Sequence, residues 1–120
     1  MSAKILMVHD EPKFSEEAAA ALGLAGHAVA TFRDPMEVLS ALEAEERFDI
    51  LITRVRFPPG RPNGVALAAM AHMKQPGIKV LFAALAKNIE YTEGLGEFMA
   101  APVDIRELVA TVTKMSANAP

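Results

Sequence analysis

The sequence contains no cysteine, so disulfides, thiol chemistry and cysteine-ligated metal sites are excluded. It also lacks any apolar run of the roughly 18 residues needed to cross a bilayer. Met1 to Asp10 has neither the long apolar core nor the small-residue cleavage site of a secretory signal. The absence of disulfides agrees with a reducing compartment. These absences predict a cytoplasmic protein that does not insert into a membrane.

An excess of positive charge is missing as well. The net charge is -3, and lysine and arginine are dispersed along the chain, so no general attraction to nucleic acid or to an anionic membrane is expected. The 120 residues are 52% apolar and 22% charged, which is typical of one globular domain. We therefore expect a single domain over residues 1–120, with a flexible tail at 116–120 and no direct nucleic-acid partner.

Short apolar runs alternate with segments of helical period, a pattern typical of repeated βα units that form a parallel sheet. The predicted strands cover residues 4–8, 27–32, 48–53, 79–83 and 97–100. The predicted helices cover residues 11–24, a segment opened by Asp34 and Pro35, residues 65–73 and residues 104–115. The run 57–64 (FPPGRPNG) is rich in proline and glycine and predicts a loop. The pattern predicts an α/β fold with a doubly wound, five-stranded parallel sheet.

In such a sheet, function is expected in the crevice at the carboxyl ends of the strands. The residues that follow the predicted strands and form the candidate site are His9, Asp10, Arg54, Ala84 and Ala101.

The segments around these residues resemble the receiver domain of bacterial two-component signalling. KILMVHDEP is similar to the receiver opening of strand and paired acids, with His9 replacing the first acid and Asp10 keeping the second. FDILITRVRFP resembles the segment that carries the phosphorylatable aspartate, with Arg54 at that position. The resemblance covers nearly the whole chain and implies a (βα)5 flavodoxin-like receiver fold.

Two later segments extend the resemblance. KVLFAALA is similar to the fourth receiver strand, which ends in a switch serine or threonine; that position is Ala84, or Ala83 if the register is one residue earlier. GLGEFMAAPVD resembles the Gly-Ala-x-x-Tyr-Leu-x-Lys-Pro segment of receivers. Phe98 then stands at the rotating switch aromatic, and Ala101 stands where receivers carry a lysine.

The departures from the family bear on the chemistry. In receivers, the paired acids and the phosphoacceptor hold Mg²⁺, and the hydroxyl and lysine hold the phosphoryl oxygens. Here only Asp10 remains, because an arginine stays protonated and cannot be a nucleophile, and alanine supplies neither a hydroxyl nor an ammonium. The resemblance thus implies a degenerate pseudo-receiver that is not an enzyme and holds no metal or cofactor. We expect Arg54 to occupy the vacant metal position and to form an ion pair with Asp10.

The length between the fourth and fifth strands also departs from the family. Ala101 follows Ala84 by seventeen positions (101 minus 84), so the fourth helix should be short by about one turn of 3.6 residues or be replaced by a loop. In receivers, the surface around this helix commonly pairs subunits or meets partners. Its shortening makes the family's dimer doubtful, and a homodimer stays an open alternative.

Three functions remain from the sequence. The leading one is a stand-alone pseudo-receiver that acts as a phosphorylation-independent interaction module for a histidine kinase, a phosphotransfer protein or an output protein. It would hold one fixed conformation, and we expect the Phe98 ring to point inward, as in an active receiver, because Ala84 leaves space for it.

The alternative is a sensor that binds an anion or small ligand in the emptied phosphorylation pocket. Arg54 and the missing lysine favour this alternative, although no Gly-rich phosphate cradle supports it. Arg56, Arg61 and Lys74 are a separate candidate anion site, although such dispersed cations are more typical of a solvated rim. The third function, phosphorylation of a displaced acid, fails on position: Asp49 lies near the start of its strand, and Asp104 suits a helix cap.

Overall fold

The computed structural model describes residues 2–44, 46–59 and 63–117. The elements in chain order are β1 (Lys4–Val8), α1 (Pro12–Leu24), β2 (Ala28–Phe32), α2 (Pro35–Glu43), β3 (Ile50–Thr53), α3 (Gly64–Lys74), β4 (Lys79–Ala84), a 3₁₀ segment (Ala86–Thr92), β5 (Glu97–Ala100) and α4 (Ile105–Ala117).

The sheet has five parallel strands in the order β2-β1-β3-β4-β5. Its central strand β1 pairs with both β2 and β3, which places Val8 opposite Phe32 on one side and Thr53 on the other. This order is that of flavodoxin-like sheets, and it confirms the predicted doubly wound fold. Since the strand order reverses between β1 and β3, the crevice for function lies at their carboxyl ends.

Helices cover both faces of the sheet, so the strands read as nearly uninterrupted apolar runs. Helices α1 and α4 contact each other and cover one face, where the buried side chains include Ile5, Met7, Ile52, Leu22 and Leu108. Helices α2 and α3 cover the other face, where the buried side chains include Leu6, Leu51, Val80, Val38 and Leu67. None of the described helices is long and apolar enough to cross a membrane.

Three predicted strand boundaries differ from those observed. The second strand begins at Ala28, one residue later than predicted, because the His27 amide donates to the Leu22 carbonyl near the end of α1 at 3.1 Å. The third strand begins at Ile50, two residues later than predicted, because the Phe48 amide donates to Gln75 Oε1 at 2.8 Å and not to a neighbouring strand. The fourth strand extends one residue further, to Ala84, which pairs in register with Ala100.

The predicted flexible tail begins too early. Helix α4 continues to Ala117, and Met115 and Ser116 are buried, so burial holds the last helical turn that the sequence assigned to the tail. Residues 118–120 of that tail lie outside the described residues. The helix begins as predicted, since Asp104 Oδ1 accepts from the backbone N–H groups of Arg106 and Glu107 and caps it.

A 3₁₀ segment lies between β4 and β5, where the sequence predicts a shortened helix or a loop. It has seven residues, and its inner side buries Asn88 and Thr92. The segment and its N-cap residue leave three large apolar side chains exposed: Leu85 by 46%, Ile89 by 51% and Tyr91 by 54%. The segment is therefore anchored from within and presents an apolar surface outward.

His27 links the start of β1 to α4, and this link predicts a pH dependence of stability. Its Nδ1 accepts from the Ala3 amide at 3.0 Å, and its Nε2 lies 3.3 Å from Thr113 Oγ1. Burial lowers the pKa of His27, so the unfolded chain binds a proton more readily than the folded one. This contribution is complete above about pH 6.5 and is lost as the pH falls through that value.

We expect the free energy of unfolding to fall between pH 7 and pH 5, and to fall by about 1 kcal/mol less in His27→Gln. Urea denaturation of both proteins at the two pH values measures the difference. Equal pH dependence in the two proteins would contradict the role of this imidazole.

Candidate functional site

The crevice at the carboxyl ends of β1 and β3 holds an ion pair. Strands β1 and β3 are neighbours, so the residues that follow them meet: Arg54 Nη1 donates to Asp10 Oδ1. The two side chains are 24% and 31% exposed, and Glu11 Oε1 lies 4.0 Å from the same Arg54 nitrogen. The guanidinium therefore lies among carboxylates that would otherwise repel each other.

The backbone of Arg54 is fixed from two sides. The hydroxyl of Thr53, a fully buried residue, donates to the Arg54 carbonyl oxygen at 2.9 Å. The chain also returns against this carbonyl at the start of α3, where the Gly64 amide donates to the Val55 carbonyl at 2.7 Å. A Cβ on Gly64 would lie 1.6 Å from the Arg54 oxygen. Only glycine permits this close approach, which fixes the position of the Arg54 backbone.

The ion pair keeps Asp10 charged. Burial alone would raise the pKa of Asp10, but the hydrogen bond and the positive charge of Arg54 outweigh it, and the pKa lies below its ordinary value. The stability that the pair contributes is thus present above about pH 4 and is lost as the pH falls further.

His9 follows β1 as a buried, neutral imidazole and lines the same pocket as Arg54. Its Nδ1 accepts from the Glu11 amide at 3.2 Å, and its ring centroid lies 4.6 Å from that of Phe14. Burial and the Arg54 charge both lower the pKa of His9. The imidazole thus stands directly after β1 without supplying a carboxylate.

The residues present do not fit the Mg²⁺ that the receiver resemblance would imply. A magnesium site uses carboxylate oxygens, but the Asp10 carboxylate already contacts Arg54. Within residues 2–44, 46–59 and 63–117, no group of three or more histidine, aspartate or glutamate side chains could hold a metal ion.

A pocket of about 190 Å³ opens beside the ion pair. Its lining includes His9, Arg54, Ala84 and Ala101. Asp10 does not line the pocket but contacts Arg54, which does. Ala83 lines it too, so either register of the predicted switch position faces the same space. The strand ends thus bring the predicted site residues together.

The predicted switch aromatic, Phe98, lies in β5 and is not among the residues that line the pocket. It is half-buried, stands in register with Phe82, and packs against the apolar cluster that contains Ala84. The ring therefore contacts the core on the α2 and α3 side of the sheet.

Sequence reasoning missed several contacts around the site. Arg56 Nε donates to Asn88 Oδ1 at 3.4 Å, and the guanidinium lies 5.6 Å from the Tyr91 ring centroid, so the loop after β3 contacts the 3₁₀ segment. Lys74 pairs instead with Glu43 at 3.1 Å. These two cations do not meet, and Arg61 lies outside the described residues. No spacing in the sequence indicates that Arg56 contacts residues more than thirty positions away.

The two displaced acids have structural partners. Asp49 Oδ2 accepts from the Lys4 amide at 2.8 Å, before β3 begins and thus at the far end from the crevice. Asp104 caps α4. Neither carboxylate lines the pocket beside Arg54.

Comparisons with known proteins agree with the fold described above. No protein-family model matches the sequence, and no curated protein sequence does. Solved receiver structures superpose over nearly the whole chain. The Francisella response regulator 1452 receiver domain is 18% identical with a TM-score of 0.83, and 98% of this chain covers 99% of that one.

Two further structures give the same result. A response regulator receiver protein from Sinorhizobium medicae is 17% identical with a TM-score of 0.87, covering 99% of this chain and 98% of its own. Chemotaxis response regulator CheY4 of Vibrio cholerae is 21% identical with a TM-score of 0.83, covering 96% and 99%. The chain has the fold of response regulator receiver domains.

Proposed function

We propose that this chain is a pseudo-receiver of two-component signalling that acts in the cytoplasm as a phosphorylation-independent interaction module. One observation carries the proposal: Arg54 stands at the carboxyl end of β3, where receivers carry the phosphoacceptor, and it pairs with Asp10. A guanidinium cannot attack a phosphoryl group, and it supplies a fixed positive charge beside the one remaining acid.

The other side of the pocket supports the proposal. Ala84 and Ala101 line it without a hydroxyl or an ammonium to hold phosphoryl oxygens. The nucleophile and both phosphoryl-binding groups are thus absent together. We propose that the chain is not an enzyme and holds one conformation, with Phe98 inward against the core that contains Ala84.

The proposed partner is a histidine kinase, a phosphotransfer protein or an output protein. The 3₁₀ segment and its N-cap support a protein contact, because Leu85, which lines the pocket, and Ile89 and Tyr91 expose large apolar side chains. Arg56 holds this segment against the loop after β3, so the surface is arranged before a partner arrives.

The first test is chemical. The protein is incubated with acetyl phosphate and Mg²⁺, and its intact mass is measured with Arg54→Asp in parallel. We expect no added phosphoryl group in either protein, since restoring one carboxylate leaves both phosphoryl-binding groups missing. A phosphorylated wild-type protein would overturn the proposal.

The second test is affinity capture from a lysate of the source organism, with Arg54→Asp in parallel and Glu17→Gln on the exposed side of α1 as a control. We expect the wild type and the control to retain a signalling protein that Arg54→Asp loses. Retention by all three proteins would place the contact away from the ion pair and contradict its part in recognition.

A further inference from the structure

Apolar side chains form one wall of the pocket beside the ion pair. Its volume is about 190 Å³, and its apolar lining includes Phe14, Ala84, Leu85, Ala101 and Val103. At about 30 Å³ for each water molecule, the space holds roughly six waters. A small organic molecule with a short aliphatic side chain would fit it.

Two hydrogen-bond donors line the same pocket. His9 is only 6% exposed, and its Nδ1 accepts from the Glu11 amide, so the neutral ring carries its proton on Nε2. Within the described ranges, no residue accepts a hydrogen bond from that Nε2. Since no buried side-chain nitrogen or oxygen in the described ranges lacks a hydrogen-bond partner, this Nε2 is open to solvent, and a ligand oxygen would take the place of water there.

The second donor is Arg54. Its guanidinium has five N–H bonds, and the hydrogen bond to Asp10 uses Nη1 alone. A carboxylate is the acceptor that matches a guanidinium best.

An acceptor lines the pocket as well. The Glu11 side chain is 65% exposed and lies 4.0 Å from Arg54 Nη1. A ligand with only a carboxylate would be repelled by Glu11, and a ligand with only an ammonium would meet the donors of His9 and Arg54. A zwitterion satisfies both sides.

We propose that this pocket binds a small α-amino acid with an aliphatic side chain. Its carboxylate accepts from His9 Nε2 and Arg54, its ammonium lies at Glu11, and its side chain packs against Ala84 and Ala101. Ligand binding is measured without a protein partner, so its failure would leave the interaction module standing.

The experiment uses L-valine as the probe, with isobutylamine and 3-methylbutanoate as analogues that lack its carboxylate and its ammonium. Isothermal titration calorimetry measures the affinities. We expect valine to bind, and each analogue to bind roughly ten- to a hundredfold more weakly because a charged hydrogen-bond partner is lost. No binding of valine at millimolar concentration, or equal binding of either analogue, would overturn the proposal.

Nuclear magnetic resonance locates the site. We expect valine to shift the His9 imidazole and the amides of Ala84 and Ala101. His9 also lines a separate groove with Thr31 and Arg33. Shifts confined to that groove would overturn the proposed position.

Two variants complete the test. Ala101 is exposed, so Ala101→Leu fills the pocket from its rim without disturbing the core, and it should abolish binding while the thermal midpoint stays unchanged. Glu11→Gln should weaken valine binding at least about tenfold, whereas Glu17→Gln, an exposed change outside the pocket, should leave it unchanged. Wild-type affinity in Ala101→Leu would show that the pocket is not the site.

Discussion

Gly64→Ala is expected to destabilise the fold by about 3 kcal/mol or more. The new Cβ would lie 1.6 Å from the Arg54 carbonyl oxygen and 2.7 Å from its carbonyl carbon, so backbone must move at the start of α3 or at the end of β3. Either movement breaks the hydrogen bond from the Gly64 amide to Val55. Urea denaturation followed by circular dichroism measures the loss in the free energy of unfolding.

Gly23→Ala is the matched control. Gly23 lies in α1, and a Cβ there would meet no atom within 4 Å. Alanine is the better helix former, so this change should be neutral or should stabilise the protein by up to about 1 kcal/mol. Similar stability of the two alanine variants would show that α3 does not approach Arg54 as closely as described.

Arg54→Ala is expected to lower the free energy of unfolding by about 1–3 kcal/mol. The pair with Asp10 is neither fully buried nor fully exposed, so its loss should cost more than a surface pair, at about 0–1 kcal/mol, and less than a buried one, at about 3–5 kcal/mol. The change also leaves the Asp10 and Glu11 carboxylates without the charge that separates them.

A double-mutant cycle with Asp10→Ala isolates the pair. The combined variant should be less destabilised than the sum of the single changes, because the first change already removes the interaction. The exposed pair of Lys74 and Glu43 is the control, and Lys74→Ala should cost no more than about 1 kcal/mol. Additive effects at Asp10 and Arg54 would mean that the two charges do not stabilise each other.

Most of the fold followed from the sequence because local and tertiary preferences agree. Strands buried on both faces must be apolar throughout, and caps such as Asp34 and Asp104 mark helix starts by bonding the first free N–H groups. The boundaries that failed depend on distant partners. The Phe48 amide donates to Gln75 and not to a neighbouring strand, so β3 begins later, and burial of Ser116 extends α4.

The candidate site followed from topology more than from local pattern. Parallel neighbours end at one edge of the sheet, which is why Asp10 and Arg54 meet although 44 positions separate them. The contacts of Arg56 could not be predicted, because Asn88 and Tyr91 lie on a 3₁₀ segment whose path depends on how the shortened connection packs. The buried environment of His9 could not be predicted either, because it depends on the contact with the tilted Phe14 ring.

The charge of the Arg54 guanidinium is permanent, and this permanence bears on how long a signal lasts. A phosphoryl group on a carboxylate can be added and hydrolysed, so it gives a signal a lifetime shorter than that of the molecule carrying it. A positive charge built into the chain lasts as long as the chain does. The duration of any signal that depends on the pair with Asp10 would therefore be set by how fast the cell makes and degrades this protein. Its strength would follow the number of copies present.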